Sequence, residues 1–280
     1  MNIGTNTYGL GAAMREDLDG TLASLKASGI TSIEPCILFK TGFTGAIMRY
    51  FKKKEPEKGG IFPAAFGELL IEKFRAEGFT VKAIHVMGIN WKRGKYGPAL
   101  RFCKTNKIKY AVVSFMESSV GNIRDLLPVL RDAAERFGKA GVSLLIHNHA
   151  QEWQESEGTN VMQYLADNAP EIGFELDAGW TEFAGVSSVE AMKRFKDWIK
   201  LLHLKEIQKN VTDLSRPFCV APGTGILPLE DIMLEARELP LDEDGILFDQ
   251  DNSVSGDILA DLREGAEKLH QLMDEKQGRA

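Results

Sequence analysis

Val142-Ser143-Leu144-Leu145-Ile146-His147-Asn148-His149 is a short apolar run that ends in polar side chains, and Ile172-Gly173-Phe174-Glu175-Leu176-Asp177 repeats that form. Between the two, Val161–Asn168 has the apolar spacing near 3.6 residues that is typical of a helix. A strand, a helix and a second strand in this order place the two strands parallel, because the chain must cross back over the sheet. This stretch therefore predicts an α/β protein.

The same alternation runs along the whole chain. Eight strands are predicted, at Asn2–Tyr8, Thr31–Pro35, Val81–Met87, Tyr110–Phe115, Val142–Asn148, Ile172–Asp177, Lys200–Lys205 and Gly245–Asp251. Eight helices are predicted, at Asp17–Ser28, Pro63–Glu77, Pro98–Thr105, Ile123–Lys139, Val161–Asn168, Val189–Trp198, Leu229–Glu238 and Ile258–Glu275. Eight units in 280 residues average about 35 residues each, which predicts a single (β/α)8 TIM barrel domain over residues 1–280. A doubly wound sheet is the competing topology, but no GxGxxG follows the first strand.

One connection does not fit this rhythm. Phe39–Phe62, after the second strand, is long and contains the aromatic residues Phe39, Phe43, Tyr50, Phe51 and Phe62. We expect an ordered lid over the barrel mouth, with a solvated surface loop as the alternative. Ile207–Leu227 is a second long connection that can share this role.

Composition and charge exclude several classes of protein. Hydrophobic residues make up 44% and charged residues 26%, which is typical of a folded globular chain. The 34 basic and 40 acidic residues give a net charge of −6, which argues against a nucleic-acid partner. No membrane span and no signal peptide are indicated. Cys36, Cys103 and Cys219 form no CxxC pair, as is usual in a reducing compartment, so we expect a cytoplasmic protein.

Polar side chains end nearly every predicted strand. In a barrel these ends meet at one mouth, where site residues lie. The strand-end residues are Glu34, His85, Ser114, His147, Asp177, His203 and Asp249. Four of the five histidines lie at or just beyond strand ends, which predicts a shared site.

Alternation along the strands selects a candidate metal site. His147, Asp177, His203 and Asp249 all have the parity of inward-facing positions. Two imidazoles and two carboxylates suit one divalent ion; we expect Mn²⁺, with Zn²⁺, Co²⁺, Fe²⁺ or Mg²⁺ as alternatives. A buried hydrogen-bonded network without metal is the competing interpretation.

Taken together, these motifs resemble the xylose isomerase-like TIM barrel superfamily, the sugar phosphate isomerase/epimerase group, in its His-Asn-His variant. The motifs are Ser32-Ile33-Glu34-Pro35, Ala83-Ile84-His85, Ile146-His147-Asn148-His149 with Glu152-Trp153, Glu175-Leu176-Asp177-Ala178-Gly179-Trp180, Leu202-His203-Leu204-Lys205-Glu206, Gly223-Thr224-Gly225 and Asp249-Gln250-Asp251. The resemblance implies a divalent metal held by strands 5 to 8, and keto-sugars or polyols as substrates. Many members carry glutamates as the strand 5 and strand 8 ligands, where this chain has His147 and Asp249.

The expected function is a divalent-metal-dependent sugar isomerase or epimerase that abstracts an alpha proton and forms an enediolate. The alternative is a carbon-oxygen lyase that eliminates a β-leaving group from a keto-sugar, 3-keto-glycoside or inosose. An endonuclease IV-like nuclease and an inactive binding subunit are further alternatives. The expected partner is a small-molecule sugar, with a homo-oligomer or a partner subunit at the barrel mouth also open.

Roles follow for the residues around the candidate metal site. The candidates for the base are His149 and Glu152, followed by Glu34 and Glu206. Lys205 is expected to neutralise a developing oxyanion. The residues expected to contact substrate are His85, Trp180 and Asp251. Gly223 and Gly225 either approach a substrate phosphate through their backbone N–H groups or form a plain turn.

Overall fold

The computed structural model describes residues 1–39 and 60–277, with side chains as far as Asp274. Its sheet consists of parallel strands, which we number in chain order. They are β1 (Ile3–Asn6), β2 (Ile30–Glu34), β3 (Cys36–Leu38), β4 (Ile61–Pro63), β5 (Ala83–Met87), β6 (Tyr110–Val113), β7 (Ser143–His147), β8 (Gly173–Asp177), β9 (Ile199–Leu204) and β10 (Ile246–Phe248). Their order is β2-β1-β10-β9-β8-β7-β6-β5-β3-β4.

The sheet closes through the second predicted strand, which Pro35 divides into β2 and β3. Pro35 has no N–H to donate to a ladder. β2 pairs with β1 on one side, whereas β3 pairs with β5 on the other. Backbone hydrogen bonds between β2 and Thr80 (Ile33 N to Thr80 O, 2.9 Å; Thr80 N to Thr31 O, 2.9 Å) complete the circuit. The predicted TIM barrel fold is confirmed.

Helices alternate with the strands as predicted. Within the described residues they span Gly11–Glu16, Leu18–Ala27, Ala64–Ala76, Gly97–Thr105, Val120–Lys139, Val161–Asn168, Ala178–Phe183, Ser188–Arg194, Leu229–Glu235 and Ile258–Gln277. Short 3-10 turns lie at Tyr8–Leu10, Trp91–Arg93, Gln151–Trp153 and Ala236–Glu238. Each of the eight predicted helices is present, and Gly11–Glu16 and Ala178–Phe183 were not predicted because each has only six residues. No helix in this part of the chain is long and apolar enough to cross a membrane.

The inward parity predicted for the strands is confirmed by the barrel interior. Leu145, Leu201 and Leu247 pack there in one apolar cluster, together with residues from β5 and β6. The alternate residues Leu144 and Leu202 belong to the separate core between the strands and the helices. Apolar side chains therefore fill the barrel below its carboxyl end, and the polar residues on the same faces emerge at the mouth.

The structure describes the second long connection fully and the first only at its two ends. Most of the predicted lid, residues 40–59, lies outside the described residues, and the lid remains a prediction. At its two ends, Phe39 contacts the Phe102 ring edge-on at 5.4 Å between centroids, and β4 pairs with β3. The second connection is anchored at the mouth, because Ile207 and Cys219 form a β-bridge and Phe218 lies 5.8 Å from the Trp180 ring.

Candidate functional site

The four predicted metal ligands meet at the carboxyl end of the barrel. His147 and Asp177 are the last residues of β7 and β8, His203 lies near the end of β9, and Asp249 follows β10. One nitrogen or oxygen atom from each lies within 4.8 Å of those of the other three. All four residues are at most 6% exposed. The tertiary structure thus brings together two imidazoles and two carboxylates, all of them buried.

Two deeper carboxylates set which ring nitrogen of each histidine faces the cluster. His147 Nδ1 donates to Glu175 Oε2 at 2.9 Å, so Nε2 points toward Asp177 and Asp249, 3.9 Å from an oxygen of each. His203 Nε2 lies 2.8 Å from Glu34 Oε2 and 3.2 Å from Glu175 Oε1. Its Nδ1 therefore faces Asp249 Oδ2 at 3.2 Å. Carboxylates behind imidazoles in this way orient metal-binding histidines in proteins.

Asp177 has one carboxylate oxygen engaged and one free. Oδ1 accepts the N–H of Trp180 at 2.8 Å and caps the helix Ala178–Phe183. Oδ2 is buried and accepts no hydrogen bond from the described residues. Asn148 holds the backbone in place, since it accepts the Asp177 N–H at 3.0 Å and donates to the Asp177 carbonyl at 3.2 Å. At Gly179 a Cβ would lie 2.0 Å from the Lys205 carbonyl oxygen, so only glycine permits this close approach.

Burial makes the charges at this site costly. Burial, reinforced by Asp249, raises the pKa of Asp177 to about 8. Burial and Glu34 raise the pKa of Glu175 to about 7. Burial also holds the pKa of His147 well below its usual value, so this ring is neutral and has a lone pair to donate. A divalent cation would relieve the repulsion among these carboxylates, since a paired charge is far less costly in a low-dielectric site.

The residues present therefore fit a divalent metal ion. Mn²⁺, Zn²⁺, Co²⁺ and Fe²⁺ accept carboxylate oxygens and imidazole nitrogens as ligands. Such atoms are supplied here by Asp177 Oδ2, which has no partner among the described residues, by the neutral His147 ring, and by His203, whose ring is oriented by carboxylates. Two other groups of three, His85-His147-Glu175 and Glu34-Glu175-His203, also bring ligand atoms together. Both share residues with the first group. We regard Glu34 and Glu175 as orienting groups, because each already contacts a histidine nitrogen.

Glu175 offers a direct test of this arrangement. We expect Glu175→Gln to lower the affinity for Mn²⁺ or Zn²⁺ by roughly 10- to 100-fold, because the amide no longer holds the His147 ring as strongly. Calorimetric titration of the metal-free protein with each ion measures the affinity. Glu171→Gln, an exposed change just before β8, is the matched control. Equal affinities in Glu175→Gln and wild type would contradict the orienting role.

His149 lies beside the four candidate ligands and has a ring nitrogen without a partner among the described residues. Its ring centroid is 5.0 Å from that of His147 and 5.6 Å from that of Trp180. Nδ1 is buried without a hydrogen-bond partner among the described residues. Burial and the nearby Lys205 lower the pKa of His149 to about 3, so the ring is neutral. A neutral ring with an unused nitrogen can accept a proton.

Glu152, the other leading base candidate, is engaged on both oxygens. Oε1 accepts the N–H of Glu117 at 2.7 Å, and Oε2 accepts the N–H of His149 at 2.8 Å. The side chain is fully buried. Glu152 therefore joins the loop after β6 to the loop after β7, and this geometry favours His149 over Glu152 as the base.

A stability measurement distinguishes a structural role of Glu152, as the acceptor that joins two loops, from a role as the catalytic base. We expect Glu152→Ala to lower the free energy of unfolding by about 2 kcal/mol or more, because two buried N–H groups lose their acceptor and each costs roughly 1–3 kcal/mol. Urea denaturation measures the change, and Glu155→Ala, at an exposed position, is the matched control. Full stability together with lost turnover in Glu152→Ala would instead indicate the base.

Glu206 binds the loop after β9 in the same way. It accepts the N–H of Gly223 at 2.7 Å and that of Leu227 at 2.9 Å. A Cβ at Gly225 would lie 2.2 Å from the Ile207 carbonyl oxygen, so glycine is required there too. Because Glu206 occupies the Gly223 N–H, the turn alternative describes this loop better than a phosphate cradle.

The remaining predicted site residues line the same mouth. Lys205 is buried, and its Nζ lies 2.7 Å from Asp251 Oδ1 and 3.1 Å from Asp249 Oδ2. It also lies 5.6 Å from the centre of the Trp180 ring. His85 Nε2 lies 3.3 Å from Ser114 Oγ, and the His85 ring is 5.1 Å from that of His147. All twelve predicted site residues are thus described, and they surround one region.

Three residues that organise this region were not predicted as site residues. Glu175 shares the inward parity of Asp177, and this signal was available in the sequence. Asn148 lies within the His-Asn-His motif. Glu117 gave no signal, because its contact with the site is a backbone N–H bound by a residue far along the chain.

Comparisons with known proteins support the fold. No protein-family model and no curated protein matches the sequence. Among solved structures, a sugar phosphate isomerase/epimerase from Parabacteroides distasonis is 17% identical, with a TM-score of 0.73 over 96% of this chain and 93% of that one. A probable 3-DHS dehydratase, AsbF, from Bacillus anthracis is 12% identical, with a TM-score of 0.65 over 96% and 99%. IolI, with a bound zinc atom, is 15% identical, with a TM-score of 0.62 over 98% and 96%.

These similarities extend over nearly the full length of both partners in each pair. The chain is similar to TIM barrels of the sugar isomerase/epimerase type, as the motifs predicted. At identities of 12–17% the likeness establishes the fold, and the chemistry must be argued from the site.

Proposed function

We propose that the protein is a divalent-metal-dependent sugar isomerase or epimerase that removes the proton alpha to the carbonyl of a keto-sugar. His147, Asp177, His203 and Asp249 would hold the ion. When bound there, a divalent ion supplies Lewis acidity, which makes a proton alpha to a carbonyl easier to remove. The likeness to a sugar phosphate isomerase/epimerase structure supports this class of substrate.

The free nitrogen of His149 is the observation that carries the proposal. Among the five candidate catalytic residues, Glu152 and Glu206 accept backbone N–H groups with both oxygens, Glu34 contacts two histidines, and Lys205 is paired with aspartates. His149 Nδ1 is buried without a partner among the described residues; Glu34 Oε1 also lacks a hydrogen bond but lies 3.4 Å from His85 Nδ1. A base needs such an unused acceptor within reach of the substrate.

Two further residues suit the same reaction. Lys205 is a buried cation held at the mouth, where it can stabilise negative charge that develops on a substrate oxygen. Trp180 places its ring between His149 and Phe218, with a buried indole N–H that has no partner among the described residues. That N–H can donate to a sugar hydroxyl, and the ring can pack on a sugar face.

The second candidate function is a lyase that eliminates a β-leaving group. Epimerisation by two opposed bases requires two free acceptors. Among the described atoms of the five candidates, only His149 Nδ1 and Glu34 Oε1 lack a hydrogen-bond partner, and Glu34 Oε1 lies 3.4 Å from His85 Nδ1. One base suffices for elimination and for isomerisation. The likeness to a probable dehydratase supports this alternative.

Proton exchange in D2O tests the proposal and separates the two candidates. The Mn²⁺-loaded protein is incubated with keto-sugars and 3-keto-glycosides, and products are followed by NMR. An isomerised or epimerised product with deuterium at one carbon supports the main proposal, and an unsaturated product supports the lyase. An isomerised product without deuterium indicates hydride transfer and overturns the alpha-proton mechanism.

A further inference from the structure

A pocket lies beside the candidate active site. Its volume is about 490 Å³, within the roughly 300–1,000 Å³ of small-molecule sites. Its walls come from the loop after β5, the loop after β6 and the first turns of the helix Val120–Lys139. None of the twelve predicted site residues lines it.

The loop after β6 carries part of the pocket wall close to the His-Asn-His segment. β6 and β7 pair with Val113 opposite Ile146, and two residues further on lie Phe115, in the pocket wall, and Asn148. Neighbouring strands are about 4.8 Å apart. Phe115 has the outward parity of Val113 and packs against the core between the strands and the helices, so the pocket borders the barrel from its helix side.

Two polar contacts connect the pocket to the site. Ser114, directly before Phe115, lies 3.3 Å from His85 Nε2. Glu117, which lines the pocket, gives its backbone N–H to Glu152, and the other oxygen of Glu152 accepts the N–H of His149. The same buried carboxylate thus holds the wall of the pocket and the candidate base.

The pocket combines apolar walls with polar side chains. Trp91 and Phe115 present aromatic surface, with ring centroids 6.2 Å apart at 81°. Glu117 is ionised, since hydrogen bonds led by that from the Ser119 N–H lower its pKa, and it accepts from Asn122 at 2.9 Å. The other polar lining residues are Asn90 and Lys92. A sugar ring has apolar C–H faces and hydroxyl edges, which match aromatic carbons beside amide, carboxylate and ammonium groups.

We propose that this pocket binds a second sugar ring, joined by a glycosidic bond to the keto-sugar that reacts at His149. The inference rests on the proposed function for the identity of the reacting ring. It names the substrate class as a disaccharide or other glycoside of a keto-sugar rather than a single sugar. The second ring would add binding energy at a place where the reacting ring makes no contact.

Calorimetry with three fructose-containing disaccharides tests the pocket without requiring turnover. Lactulose, maltulose and isomaltulose are titrated into the Mn²⁺-loaded protein and compared with fructose. We expect at least one to bind about tenfold or more tightly than fructose. In Asn122→Trp, where an exposed rim residue becomes a bulky ring, that advantage is expected to vanish while fructose affinity stays unchanged. Asp125→Trp, exposed on the same helix but outside the pocket, is the matched control.

Three outcomes overturn the inference. In wild type, no disaccharide binds better than fructose, or the advantage persists both in Asn122→Trp and in Asn90→Trp, which fills the opposite rim. A preference for phenyl glucoside over every disaccharide also overturns it, because the pocket then selects an aryl group. If the disaccharide advantage is found but no sugar exchanges deuterium, the proposed function fails and the pocket assignment stands.

Discussion

Replacement of His149 by alanine is expected to lower the turnover number by roughly 10²- to 10⁴-fold, the usual contribution of a general base. The metal content is expected to stay at the wild-type level, because the four candidate ligands and the carboxylates behind them are unchanged. Turnover is measured as deuterium incorporation in D2O, and metal by elemental analysis of the same sample.

His270→Ala is the matched control, since His270 lies on the C-terminal helix Ile258–Gln277. We expect wild-type turnover from it. Undiminished turnover in His149→Ala would reject His149 as the base. Glu34 would be tested next, because Glu152 and Glu206 already accept two backbone N–H groups each.

Asp177→Asn is expected to abolish tight metal binding and activity together. Loss of an orienting carboxylate costs roughly 10- to 100-fold in metal affinity, so loss of a ligand carboxylate should exceed 100-fold. Asparagine is as good a helix N-cap as aspartate, so the helix Ala178–Phe183 keeps its cap. Asp177→Ala removes both functions, and the difference in unfolding free energy between the two variants measures the cap.

Metal binding also provides a readout that does not depend on activity. At a Mn²⁺ concentration about 100 times the dissociation constant, wild type should gain about 2.7 kcal/mol in unfolding free energy. Asp177→Asn, with affinity lowered more than 100-fold, should gain less than about 0.4 kcal/mol at that concentration. A similar gain in both proteins would contradict the assignment of Asp177 as a ligand.

Without metal, the same substitution should stabilise the protein at high pH. The folded-state pKa of Asp177 is about 8, above its unfolded value near 3.8, so ionisation of this group favours the unfolded chain. In EDTA, the stability of wild type relative to Asp177→Asn should therefore fall as pH rises from about 4 to 8. Urea denaturation at a series of pH values measures this, and a constant difference would contradict the raised pKa.

Much of the site could be predicted because the parallel strands of a barrel bring their carboxyl ends together at one mouth. The parity of His147, Asp177 and His203 along their strands was readable from period-2 alternation, and the structure brings these residues together at the mouth. The strand boundaries were less accurate. Asp249 and Lys205 were predicted at strand ends, but β10 ends at Phe248 and β9 at Leu204, so each residue lies one position beyond its strand.

The break at Pro35 and the added strand β4 were not predicted. Pro35 is the last residue of the predicted strand Thr31–Pro35, and a sequence pattern does not show that the chain continues beyond it to pair with a different neighbour. β4 has only three residues, too few for periodicity to indicate a strand.

By itself, the sequence determined the barrel and the set of ionisable residues at its mouth, because both depend on local periodicity and on a general property of parallel strands. Only the tertiary structure decided which of these residues are free to react. Glu152 and His149 are equally plausible bases in the sequence, yet both oxygens of Glu152 accept backbone N–H groups, and one of these belongs to Glu117, 35 residues away. Whether a buried group has a partner depends on contacts between distant segments, and no local pattern encodes them.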